Sequence, residues 1–262
     1  MNSKELLKHL INASSKMAKA ALEAREYWFG KVEGKELESK IDYASVNTLK
    51  AYLSEHDLTF KVISEEGFEV GEGEGEYLIV DPVDGTSNMC RGIPFTAISL
   101  AISKGDLIDD VYIGVVRDIF RDRVYWAIKN EGAYLDGKRI YVSKPKPLQR
   151  VFLSISITKA SCGKSKVLNL LPLVRYPRYL GSASLELCFV ASGVLDAFID
   201  IRGSLRTFDI AAGQLIVKEA GGIVSILQHE NKNVYLSKIS GIAIIAASNK
   251  ELLDNILAAV SQ

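Results

Sequence analysis

Apolar residues fall at helical spacing from the start of the chain. Leu6, Leu7, Leu10, Met17, Ala21 and Leu22, with lysines and glutamates between them, predict an amphipathic helix over residues 3–25, with Ser3 as its N-cap. The pattern lapses over residues 26–40, where Gly30 and Gly34 mark a connector, and returns as a second helix over 42–55 with Asp42 at its N-cap. A short strand at 60–64 ends on Glu65 and Glu66, and the Gly/Glu alternation at 71–76 has nothing to pack. The β-rich run Tyr77-Leu-Ile-Val80 leads straight into the turn formers Asp81, Pro82, Asp84 and Gly85. Strand-like runs at 95–103, 110–116 and 123–127, separated by turn signals, predict an antiparallel meander.

The second half reads differently. Lys144-Pro-Lys-Pro147 is an extended linker, so the expected division is a half at 1–147 and a half at 148–262, packed tightly as one unit. After it, strands at 151–157, 175–179, 195–201 and 241–246 alternate with helices at 164–171, 183–191, 207–220 and 250–260. The whole pattern implies layered α and β structure with sheets between helices.

Composition narrows the function without naming it. Lys+Arg and Asp+Glu stand at 32 each, which leaves no global charge to recruit nucleic acid or an anionic membrane surface. No apolar run is long enough to span a membrane, and the N-terminal residues do not read as a targeting segment, so a soluble, cytoplasmic protein is expected. Cys90, Cys162 and Cys188 are widely spaced, which argues against a disulfide framework or a structural zinc site. Three histidines, none placed to activate a Ser or Cys, argue against a triad-type nucleophile.

The acidic junctions carry the candidate chemistry. Asp81 and Asp84 on one tight turn can converge on a cation, with the Val83 carbonyl as a further oxygen ligand; such a set suits Mg²⁺, Mn²⁺ or Ca²⁺. Taken alone, the same residues are also ordinary turn chemistry, and Asp209, which opens an apolar helix, is also an ordinary cap.

Taken together, Glu65-Glu66-Gly, Asp81-Pro-Val-Asp84-Gly85-Thr86-Ser87-Asn88, Gly181-Ser182-Ala183-Ser184 and Asp209-Ile-Ala-Ala-Gly…Glu219-Ala-Gly-Gly222 resemble, in order and spacing, the inositol monophosphatases and their fructose-1,6-bisphosphatase relatives. Between Asp200 and Asp209 the segment Ile-Arg202-Gly-Ser-Leu-Arg206-Thr-Phe is longer and more basic than the usual one, and Arg178 stands just before Gly181; in this the chain looks most like the archaeal dual-activity branch. The resemblance implies an α+β fold, a layered αβαβα sandwich with a mostly antiparallel N-terminal sheet and a mixed C-terminal sheet. It implies Mg²⁺, two or three ions per site with Mn²⁺ as an alternative, held by Glu65, Asp81, the Val83 carbonyl, Asp84 and Asp209. Glu66 would lie beside the cluster, and Asp42 would pair with Thr86 to orient a water and accept its proton. Gly85, Thr86 and Ser87, with Asp84, would seat the phosphate. Gly181, Ser182, Ala183 and Asp200 would meet the hydroxyls of the alcohol, and Arg178 and Arg202 would suit a second phosphate.

The function so implied is hydrolysis of fructose 1,6-bisphosphate, inositol 1-phosphate or both by a metal-activated water, in a homodimer. Two alternatives stand beside it: a 3′-phosphoadenosine 5′-phosphate phosphatase on the same scaffold, and a sugar-phosphate-binding protein without activity.

Overall fold

The computed structural model describes residues 1–64, 75–157, 169–227, 233–238 and 241–261. In chain order the elements are α1 (Ser3–Trp28), α2 (Lys35–Glu55), β1 (Lys61–Ser64), β2 (Tyr77–Asp84), α3 (Thr86–Arg91), β3 (Ala97–Ser103), β4 (Val111–Asp118), β5 (Arg123–Ile128), β6 (Gly132–Leu135) and β7 (Lys138–Arg139). They continue with β8 (Phe152–Ile155), β9 (Tyr176–Arg178), α4 (Ala183–Ala191), β10 (Ala197–Leu205), α5 (Thr207–Glu219), β11 (Ile223–Leu227), β12 (Ile242–Ala247) and α6 (Lys250–Ser261).

Among the described residues, β1 to β7 form one sheet in sequence order, with β1 parallel to β2 and each later pair antiparallel. A second sheet has the order β11-β12-β10-β8-β9 and mixes parallel and antiparallel pairs. Strand alternation sorts the core into layers. Leu78, Val80, Ile98, Leu100 and Ile102 face α1 and α2, whereas Ile79, Ala97 and Ala101 face the opposite way, against α4 and α5. Those two helices lie between the sheets, and α6 covers the far face of the second sheet beside Leu153, Ile199 and Ile245. The result is an αβαβα sandwich of the sugar-phosphatase type, as the resemblance implies.

Residue size explains the spacing of the layers. The face of the first sheet that meets α5 is built from small residues, and a Cβ on Gly114 would come within 2.9 Å of the Ala212 carbonyl oxygen. A larger residue there would push the helix off the sheet. One core cluster, packed around the middle layer, contains residues from before and after residues 144–147.

Two helical boundaries and one strand differ from expectation. Asn2, not Ser3, caps α1: its side chain accepts the Lys4 and Glu5 amides at 3.0 Å, and Glu5 returns a bond to the Asn2 amide at 2.9 Å. This reciprocal box leaves Ser3 inside the helix. α2 begins at Lys35, so Asp42 sits two turns inside it and caps nothing. Among residues 35–40 only Leu37 is apolar and buried, too little to mark a stripe, yet Lys, Glu and Leu are good helix formers. Strand β11, half-buried along its length, was not expected at all. The helix expected at 164–171 lies largely outside the described residues.

Leu49 on α2 is fully buried, whereas Tyr43 on the same helix is 64% exposed. Leu49→Ala is expected to destabilise the fold by about 2–5 kcal/mol, and Tyr43→Ala by under about 0.5 kcal/mol. Urea denaturation of both variants checks this.

Candidate active site

In a plain strand, residues three apart point to opposite faces. Asp81 and Asp84 nevertheless line one cavity. The reason is a register shift in β2: Asp81 pairs with Ser99 and Asp84 with Ala97, so one extra residue lies between them. Pro82, with no amide to donate to the ladder, suits such a bulge. α2 pins it, since the Ser45 hydroxyl donates to the Pro82 carbonyl at 2.9 Å. Within the bulge, the Val83 amide donates to Asp81 at 3.1 Å, and the Thr86 hydroxyl donates to the Val83 carbonyl at 2.7 Å. Gly85 follows at φ +87°, and a Cβ there would sit 3.0 Å from the Gly181 carbonyl oxygen, so only glycine fits both the backbone and the space.

The carboxylates are held by different means. One oxygen of Asp84 accepts the Ser182 hydroxyl at 2.7 Å, the Ser184 amide at 2.6 Å and the Ser184 hydroxyl at 2.5 Å, all from the start of α4. Asp209, in the first turn of α5, accepts the Arg206 amide at 2.7 Å and lies 3.4 Å from the Arg206 guanidinium. It therefore takes part in its helix's cap while lining the cavity.

Burial raises the pKa of all three. Asp81 is pushed well above the usual carboxylate range by burial and then by Asp84, Asp209 and Asp42. Burial also lifts Asp84, against the hydrogen bonds from Ser184 and Ser182. Asp209 rises to about 6 through burial and the Asp84 charge, with Arg206 opposing. Asp42, buried in α2, adds its charge from behind Asp81.

The donor set fits a hard divalent cation. Asp81, Asp84, Asp209 and the Val83 carbonyl are all oxygen donors, and a cation relieves the repulsion between the carboxylates. Among the described residues no three acidic, His or Cys side chains converge tightly enough to hold a metal alone. Glu65 and Glu66, the other expected contributors, lie outside the described residues; β1 ends just before them at Ser64, beside Val80.

The cavity, about 740 Å³, is lined by the carboxylates, by Thr86 and Ser87, and by Tyr179, Gly181, Ala183, Arg202 and Arg206. Not every expected residue reaches it. Ser182 is fully buried and directs its hydroxyl to Asp84. Asp200 is fully buried as well, and both its oxygens accept from the Arg202 guanidinium, with contacts of 2.5 to 3.1 Å. It orients Arg202 and does not face the cavity. Arg178 lies outside: it donates to the Pro177 carbonyl and stacks over the exposed Phe152 ring. Arg206 takes the second basic position on the wall instead.

Several cavity residues were not singled out from sequence. Glu38, in the first turn of α2, accepts the Ser87 hydroxyl at 3.0 Å. Asn88 and Glu186 also line the cavity. Burial lifts Glu186 to about 7, with the nearby Asp84 charge adding to the shift and a Ser154 hydrogen bond opposing it. Asn88 and Ser184 stood inside the motif strings; nothing in the sequence marked Glu38 or Glu186.

A model of the inositol monophosphatase family matches residues 2–262. The chain belongs to the inositol monophosphatase family. It is 40% identical over 203 residues to a fructose-1,6-bisphosphatase/inositol-1-monophosphatase of Thermococcus kodakarensis, covering 78% of this chain and 75% of that one. A protein of the same description from Aquifex aeolicus is 30% identical over 266 residues, covering 97% and 96%. The solved structure of extragenic suppressor protein suhB from Bartonella henselae superposes with a TM-score of 0.81 at 26% identity, over 98% of this chain and 100% of that one. Membership makes the chain a phosphatase of sugar or inositol phosphates and implies dependence on a divalent metal. No helix among the described residues is long and apolar enough to cross a membrane.

Metal must displace protons from carboxylates whose pKa is raised. For Asp209 the folded value of about 6 exceeds the unfolded value, about 3.9. The metal-free native state therefore binds more protons than the unfolded chain between these values, and Asp209 opposes folding as pH rises through 6. The gain in thermal midpoint on replacing EDTA with Mg²⁺ is expected to be small at pH 5 and to grow through pH 6–7. A gain equal at every pH would contradict this.

Proposed function

We propose that the chain hydrolyses fructose 1,6-bisphosphate and inositol 1-phosphate with Mg²⁺ through direct attack by water. The observation that carries this reading is one cavity lined both by the acidic oxygen donors Asp81, Asp84 and Asp209 and by two arginines, Arg206 beside Asp209 and Arg202 held by the buried Asp200. A phosphate monoester bound in it would place its phosphoryl group at the carboxylates, and Arg202 would suit a second phosphate.

Glu65, Asp81, the Val83 carbonyl, Asp84 and Asp209 would hold the metal, two or three ions in all. Bound there, divalent cations offset charge on the phosphoryl and leaving oxygens and lower the pKa of water. The residues supply the rest. Gly85, Thr86 and Ser87 seat the phosphoryl group through backbone amides. The Thr86 hydroxyl, within reach of the Val83 carbonyl at 2.7 Å, aligns the attacking water, and Asp42 takes the proton. Glu66 would support this cluster from beside it. Gly181 and Ala183 form the wall next to the alcohol. A cytoplasmic homodimer is the state in which we expect it to work.

Side-by-side kcat/KM values for fructose 1,6-bisphosphate, inositol 1-phosphate and adenosine 3′,5′-bisphosphate test the reading; preference for the third, or no phosphate release from any, would overturn it. Arg202→Ala strands the buried Asp200 charge and will lower stability, so the ratio of substrates is the better readout. Arg202→Ala is expected to reduce kcat/KM on the bisphosphate about tenfold more than on inositol 1-phosphate, the worth of one charge-assisted hydrogen bond. Arg178→Ala is expected to leave the ratio unchanged. Equal losses on both substrates with Arg202→Ala would remove the second-phosphate role.

A further inference from the structure

The wall of the cavity next to the phosphate seat is a short connector between β9 and α4, and its Leu180 is held on both sides. The Leu180 carbonyl accepts the Asn88 side-chain amide at 2.7 Å, and the same nitrogen donates to the Phe95 carbonyl at 3.0 Å. On its other side, the Leu180 backbone faces the Glu186 carboxylate and helps to hold its charged form. Glu186 is only 1% exposed, and it also accepts the Ser154 hydroxyl from β8.

The two holders come from the two sides of the site. Asn88 follows Ser87 in α3, so it moves with the phosphate seat. Glu186 lies one turn beyond Ser182 in α4, with its amide bonded to the Ser182 carbonyl at 2.9 Å, and Ser182 and Ser184 hold Asp84. Gly181 is caught between them. It sits at φ +89°, and a Cβ on it would come within 3.1 Å of the Asn88 amide nitrogen.

We propose that Asn88 and Glu186 are positioning residues: by gripping Leu180 from both sides they fix the alcohol-side wall relative to the phosphoryl seat, and so set which ester alcohols are accepted. Neither residue needs to touch the reacting atoms. A buried carboxylate that accepts a buried hydroxyl and faces a backbone amide is demanding to replace, because removing it takes the partner from a buried donor. A loosened wall misplaces the alcohol and leaves the phosphoryl group seated. The proposal rests on the phosphatase reading above.

The test uses the full chain with saturating Mg²⁺ and two substrates, inositol 1-phosphate and p-nitrophenyl phosphate, whose alcohol has no ring hydroxyls to meet the wall. Glu186→Leu and Asn88→Ala are each expected to raise KM for inositol 1-phosphate about tenfold, while kcat/KM on p-nitrophenyl phosphate stays within about twofold of wild type. Glu186→Gln keeps an acceptor oxygen and is expected to recover most of the loss. The pair of disruptive substitutions is expected to be less than additive, since both release the same residue.

Equal losses on both substrates would overturn the proposal and leave only a structural role. So would a glutamine variant as impaired as the leucine one. If Glu186→Leu fails to fold, Asn88→Ala, at a half-buried position, carries the same expectation. A wild-type chain that hydrolyses neither ester would instead remove the phosphatase reading itself.

Discussion

Mutual repulsion among buried carboxylates is the constraint on which the rest of the structure depends. Burial lifts the pKa of Asp81, Asp84 and Asp209; the Asp84 charge adds to the shift of Asp81 and Asp209, and Asp209 and Asp42 add to that of Asp81. A chain selected only for stability would place apolar residues there. This one keeps the carboxylates together and surrounds them with donors: three bonds from the start of α4 to Asp84, a backbone amide to Asp81, and another to Asp209. These bonds hold geometry while leaving the repulsion for a cation to relieve.

The layered fold makes that placement rigid. Asp81 and Asp84 come from the strand between α1/α2 and the α4/α5 layer, and Asp209 comes from that inner layer itself. Small residues on the sheet face, with Gly114 against Ala212, let α5 approach closely enough for its first turn to reach the end of β2. The site is therefore a product of packing between halves that are separate in sequence.

How far the sequence revealed this depended on which physical signal each residue left. The meander was legible because β-rich apolar runs over β3, β4 and β5 are separated by turn formers, although β3 and β4 are buried on both faces and show no polar alternation. The acidic motifs were legible as strings, but not the way Asp81 and Asp84 share a face, since that depends on a bulge at Pro82 and Val83 whose register is set by the partner strand. Asp42 looked like a cap because the turns before it offer only Leu37 and Ile41 as apolar positions, both buried but too few to mark a helix in the sequence. Arg178 and Arg206 were equally plausible wall residues; a cation–π contact with Phe152 keeps one outside, and the first turn of α5 brings the other in. Glu186 left no signal, because a single glutamate in an apolar helix gains meaning only from Ser154 and Leu180, which lie elsewhere in the chain.

The link between the carboxylate cluster and hydrolysis is tested most directly by titrating Mg²⁺ into metal-free protein while following phosphate release from fructose 1,6-bisphosphate, for wild type and for Asp81→Asn. Wild type is expected to show no release without Mg²⁺ and a saturable rise with it. Asp81→Asn, folded by circular dichroism, is expected to stay inactive across the titration. Release that is independent of Mg²⁺, or an Asp81→Asn titration matching wild type, would contradict the role assigned to the cluster.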